Sequence, residues 1–287
     1  MLKSTDKFRW LAGFTYTDNS IARVDIARLN EGKDPDELLP DVPGLYENYV
    51  SWGAIPENEA DGNKVTYLKA GLVYDTRNEE AFPTKGIWAD AILSFAPTFL
   101  GDWDYNYTKL TLAFRQYVGF GTKNLVFGYR LGYQGTVSGT VPFHMQPHIV
   151  PVIMIGASSE GFGGSRSLRG VMRNRVVGDG IILGNAELRW RFLQTTVMKQ
   201  KIYIGTNVFA DFGRVVKKID FELNPNSTAT VNLADYFDTG AEAIHISTGI
   251  GLKFGLNDNF IVSFDYGMAT DKRDGDTGLY INMNWLF

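Results

Sequence analysis

Residues 161–177 read GFGGSRSLRGVMRNRVV. Three glycines, Gly161, Gly163 and Gly164, run into four arginines, Arg166, Arg169, Arg173 and Arg175, with no acidic residue among them. The chemistry open to such a segment is ion pairing. A guanidinium is a planar fork of donors that engages carboxylates in paired hydrogen bonds and stays charged when desolvated. Glycine lets the backbone turn through positive φ and lie close to a wall. The acceptors must then be acidic side chains elsewhere in the chain.

The other chemistry-bearing residue types fail on spacing. His144 and His148 in HMQPH would pair as metal ligands only on a helix, and Pro147 argues for a loop. GASSEG at 156–161 does not align with a nucleophile elbow. DKRDGDTG at 271–278 has the composition of a calcium loop but lacks its terminal Glu. GFGGSRSLRG is neither a Walker loop nor a dinucleotide fingerprint. There is no cysteine, hence no disulfide and no thiolate ligand. A formal net charge of −4 over 287 residues opposes nucleic-acid binding, which favours a basic excess. The residues thus suggest no catalytic centre, no metal and no cofactor.

What positions the arginines is a run of strands. In NAELRWRF, Ala186, Leu188, Trp190 and Phe192 alternate with Asn185, Glu187, Arg189 and Arg191. This period of two is the strand signal. The same alternation sets Leu110, Leu112, Phe114, Val118 and Phe120 against Lys109, Thr111 and Arg115. It sets Ile244, Ile246, Ile250, Leu252, Phe254 and Leu256 against His245, Ser247, Gly249, Gly251 and Lys253. In the last segment Leu279, Ile281, Met283, Trp285 and Phe287 alternate with Tyr280, Asn282 and Asn284. About ten strands are predicted, near 7–21, 64–75, 86–98, 104–120, 124–138, 181–197, 200–217, 244–257, 258–270 and 278–287. Most are long enough to cross a bilayer when tilted.

The connections alternate between short (near 120–124, 198–200 and 257–259) and long (near 22–63, 139–180 and 218–243). The acidic, proline-punctuated stretch 30–50 belongs to a long one, helical in part. Lipid cannot hydrogen-bond a backbone, so spanning strands must pair with each other. The fold class expected is therefore all-β, an antiparallel transmembrane β-barrel with an oily outside and a wet inside. Lys69, Arg115, Arg130, Glu187, Arg189, Asp211 and Lys253 should face the lumen. Tyr105, Tyr107, Tyr117, Phe120, Trp285 and Phe287 are assigned to interfacial girdles. No stretch reaches the roughly 18 apolar residues of a membrane helix, and the first twenty residues lack the features of a signal peptide.

Several segments resemble the membrane domain of the BamA/TamA family of outer-membrane assembly proteins, also called the bacterial surface antigen family. YDTRNEEAFPTKGIWADAILSFAP resembles its turn and the strand that follows. GSRSLRGV resembles its loop motif, and NAELRW and FADFG resemble the two strands after that loop. The likeness runs from about Lys64 onward. It implies that residues 1–287 are the C-terminal ten or so strands of a barrel of about sixteen, with periplasmic POTRA repeats and the first strands lying upstream; a closed ten-stranded barrel is the alternative.

It also implies that the motif loop folds back into the lumen. Arg169, flanked by Leu168 and Gly170, would meet Glu187 and Asp211 on the inner wall, with Gly163 and Gly164 as hinges. Val171 stands where the family favours an aromatic. Phe287 would be the terminal aromatic that such barrels present for their own assembly. The implied function is non-enzymatic assembly, insertion or translocation in the outer membrane of a Gram-negative-type bacterium. Its partners would be the lipid bilayer, client outer-membrane proteins and accessory assembly subunits. The alternatives are the membrane anchor of a surface or secreted enzyme, as in patatin-type fusions, and a simple pore.

Overall fold

Alternating sequence becomes a single meander. The computed structural model describes residues 2–3, 7–100, 106–121, 124–149, 161–237, 242–257 and 260–287. A two-residue strand, β1 (Leu2–Lys3), precedes ten full strands. These are β2 (Phe8–Ser20), β3 (Gly62–Asp75), β4 (Lys85–Ala96), β5 (Tyr107–Gly119), β6 (Leu125–Gly139), β7 (Gly180–Val197), β8 (Gln200–Lys217), β9 (His245–Leu256), β10 (Phe260–Ala269) and β11 (Thr277–Met283). Each pairs antiparallel with its chain neighbours in one sheet. Among the described residues β11 does not pair back to the first strands, so the sheet is open. Helices occur only between strands: α1 (Ile26–Asn30) and α2 (Leu45–Ser51) before β3, and α3 (Pro225–Thr228) before β9.

The two faces are inverted relative to a water-soluble sheet. Arg115, Arg130, Glu187, Arg189, Asp211 and Lys253 are fully buried on the concave face, and Lys69 is partly so. Phe14 is 75% exposed, Leu279 68% and Ile281 66%, all on the convex face. An apolar surface of that extent is stable only against lipid. Register stacks the inner face into rows. Arg115 lies opposite Arg130, Arg130 opposite Asn185, Asn185 opposite Asp211, and Asp211 opposite Ser247.

The girdle assignment needs correcting. Phe120 is exposed, but Tyr107, Tyr117, Trp285 and Phe287 are buried on the inner side, and Tyr105 lies outside the described residues. Tyr107 and Tyr117 share the parity of Lys109 and Arg115, so the pleat turns them inward. Trp285 and Phe287 leave the lipid face because β11 stops at Met283. Asn284 then adopts φ +67°, a conformation asparagine tolerates better than most residues, and its N–H donates to Ile261 O at 2.8 Å. The chain hooks inward. The Phe287 ring lies 4.5 Å from the Arg189 guanidinium, and Trp285 packs on Phe82 from the turn after β3, 5.2 Å between ring centroids.

A second element turns inward at the long-loop end. Residues 143–145 make one 3-10 turn, and Met145 and Val141 pack on Val65, Tyr67 and Tyr107. Gln134 Nε2 donates to His148 O at 2.7 Å. Burial, then Lys109, His144 and Lys69, push the His148 imidazole down to about 4. His148 is therefore neutral in the packed loop. As the pH falls from 6.5, the released imidazole takes up a proton that the packed one refuses. Packing should weaken steadily between pH 6.5 and about 4 and show no such dependence above that window. Protease nicking within 140–149, followed against pH, should show this in the parent and not in His148→Gln. Identical profiles would refute the assignment.

Candidate functional site on the inner wall

The arginine segment is knotted before it is docked. Phe162 N donates to Val176 O at 2.8 Å, closing its base, and Gly164 N donates to Val171 O at 3.1 Å. The Ser167 hydroxyl accepts from Gly163 N and donates to Gly163 O, both at 3.0 Å. Gly163 (φ +108°) and Gly164 (φ +94°) take conformations that L side chains rarely adopt. Leu168, Val171 and Phe162 are buried against Ile181, Leu183 and Val215 of the wall. Phe162 lies where an added Cβ on Gly213 would be 3.0 Å from its ring. It supplies an aromatic contact in the loop, although position 171 is valine.

Arg169 is the tip of this knot and has no exposed side-chain surface. Its Nε and Nη2 donate to Asp211 Oδ2 and Oδ1, each at 2.9 Å, the paired geometry that guanidinium favours. Its backbone N–H donates to Asp211 Oδ2 at 3.1 Å. Glu187 Oε1 approaches Nη1 at 2.7 Å but out of line for a hydrogen bond, so that contact is Coulombic. Asp265 Oδ1 lies 3.6 Å from Nη1. The guanidinium carbon sits 3.4 Å from the Phe209 ring centroid, adding a cation–π contact.

The carboxylates are held by further groups. Asn185 donates to Asp211 Oδ1 at 2.8 Å and to Ser167 O at 2.7 Å. Arg189 donates to Glu187 at 2.8 Å, and Lys253 to Asp265 at 2.6 and 2.7 Å. Three carboxylates thus face the three cations Arg169, Arg189 and Lys253. Arg130 adds hydrogen bonds to Asn185 Oδ1 at 2.8 Å and Arg166 O at 2.7 Å. Arg173 and Arg175 are exposed.

Arg169, Glu187 and Asp211 therefore come together, with Leu168 and Gly170 buried beside them. Phe287 lies apart from Arg169's carboxylates, on the far side of Arg189. Sequence reasoning passed over Asp265, Asn185, Phe209 and Tyr280. Parity could have found Asp265, since FIVSFDYGMA turns Ile261, Ser263, Asp265 and Gly267 to the buried side. Among the described residues no group of acidic and histidine side chains could hold a metal ion. Each carboxylate of the cluster is engaged by a cation.

A crystal structure of BamA from Haemophilus ducreyi lacking POTRA domains 1–3 has the same fold, with a TM-score of 0.61 and 16% identity over 97% of this chain and 51% of that one. The chain thus spans about half the length of that structure. No curated protein sequence matches it. The Omp85 superfamily domain matches residues 12–285. A match of that extent, on an open-edged sheet with a lipid-facing exterior and a charged interior, makes this chain a member of the Omp85 superfamily, an outer-membrane β-barrel protein of the Gram-negative type.

Proposed function

We propose that this chain inserts or translocates other proteins at the outer membrane, in the manner of the BamA/TamA type, without making or breaking covalent bonds. One observation carries the reading. The Omp85 superfamily domain matches residues 12–285, and in such a barrel the short last strand β11 would pair only weakly with the first strand, leaving a seam that can open. An unpaired edge in lipid is a strong template for another strand. A client strand would join it by main-chain hydrogen bonds, which accept many sequences. The Arg169–Asp211–Glu187 cluster would keep the motif loop seated while the edge is in use. Clients would be other outer-membrane barrels, with accessory subunits delivering them.

The pore reading is opposed by the filling of the inner face. Phe162, Leu168, Arg169, Trp285 and Phe287 are all buried within it. The anchor reading requires a catalytic domain elsewhere and predicts no effect on clients. The test is reconstitution in lipid vesicles with a urea-denatured client barrel. The chain should accelerate client folding, and Leu279→Cys should cross-link to a cysteine in the client's terminal strand. Ion conductance with neither acceleration nor cross-link would reject assembly in favour of the pore.

A further inference from the structure

Strand β11 is the shortest of the full strands, and among the described residues its sheet neighbour is β10. The tip of the motif loop reaches β11 directly: Gly170 N–H donates to the Tyr280 hydroxyl at 2.9 Å. The turn before β11, residues 270–276, is bound to the same loop. Met172 N donates to Asp274 O at 2.8 Å, and Arg175 Nε donates to Arg273 O at 2.7 Å. Gly275 lies flush against the loop, since a Cβ there would come 2.6 Å from Gly170 O and 3.1 Å from Met172 N. The turn is in turn clamped to β9, where His245 bridges Asp274 and Glu242 at 2.8 and 2.9 Å. The DKRDGDTG stretch, which resembled a calcium loop only in composition, thus serves as a receptor for the loop.

We propose that the loop 161–177 is the second support of the edge strand: through Tyr280 and the turn 270–276, the docking of Arg169 and the position of β11 form one cooperative unit. The chain runs from Asp211 and Glu187 through Arg169 and Gly170 to Tyr280, whose row in the sheet also contains Asp265. Its value to client pairing rests on the function proposed above. The link itself is a property of the folded chain.

Amide hydrogen exchange of the full chain in lipid nanodiscs decides it, and no client is needed. Tyr280→Phe removes the acceptor of one hydrogen bond, so exchange across 277–283 should quicken roughly three- to tenfold while 161–169 stays protected. Gly275→Ala should act in the same direction and more strongly, because Gly275 has φ +153° besides its close contacts. Arg169→Gln should quicken both 161–177 and 277–283. Release of the loop in Arg169→Gln with unchanged protection of 277–283 would overturn the proposal. So would unchanged protection of 277–283 in Tyr280→Phe, the variant least liable to misfold. Failure of the client assay with success here would remove the assembly reading and leave the link standing.

Discussion

Arg169→Ala is expected to unseat the motif loop and to destabilise the chain by about 3–5 kcal/mol, because it leaves buried carboxylates uncompensated. The wall sets Arg169, Arg189 and Lys253 against Glu187, Asp211 and Asp265. Removing Arg169 takes from Asp211 and Glu187 the cation they share, in a place with no exposed surface over which to dissipate the charge. Asp211 suffers most, since three of its four hydrogen bonds come from Arg169. Arg169→Lys restores the charge but not the fork, and should fall between Ala and the parent. Arg173→Ala, on the exposed side of the same loop, should cost clearly less than Arg169→Ala. Urea titration of the strand signal gives the stability, and protease cleavage within 161–177 gives the docking. A loop as protected in Arg169→Ala as in the parent would show that the apolar knot of Phe162, Leu168 and Val171 holds it unaided.

Most of the array was legible because lipid enforces a simple rule. Each spanning residue faces either oil or the lumen, so the period of two that put Glu187 and Asp211 with Arg189 and Asn207 needed no tertiary information. The same rule would have turned Tyr107 and Tyr117 inward had parity been followed over the habit of placing aromatics at interfaces. Other features were not local. Asp265 lies on the buried parity, but its choice as a third carboxylate depends on Gly251, which stands between it and Asn207 in the row and leaves room for both side chains. The inward hook depends on one residue, Asn284, taking a positive φ, and it stacks Trp285 and Phe287 on Arg189 of β7. Alternation continued unbroken through Trp285 and Phe287, so the sequence carried no sign of the bend. The contact between Gly170 and Tyr280 joins residues 110 positions apart and needed the fold to be seen.

Gly267→Ala is the second large effect, and it separates shape from charge. In β10 this glycine has ordinary strand dihedrals, and alanine in a strand interior is normally no worse than glycine. Its neighbours across the sheet are Gly249 and Gly278, so the row is a strip without side chains. The loop lies on that strip backbone to backbone. A Cβ on Gly267 would stand 2.5 Å from Arg169 O, and one on Gly170 would stand 2.6 Å from Met268 N. Neither neighbour is the far end of a flexible side chain, so the loop as a whole must lift. The expected cost is about 1–3 kcal/mol, the usual range for overpacking, with no change in charge. The cost should also depend on docking. In an Arg169→Ala background the loop has already left, and Gly267→Ala should then be close to neutral. A double-mutant cycle on unfolding free energies should therefore show coupling close to the full single-mutant cost. Equal cost in both backgrounds would mean that the strip is needed by the sheet itself, and that the close approach of loop and wall contributes nothing to holding Arg169 in place.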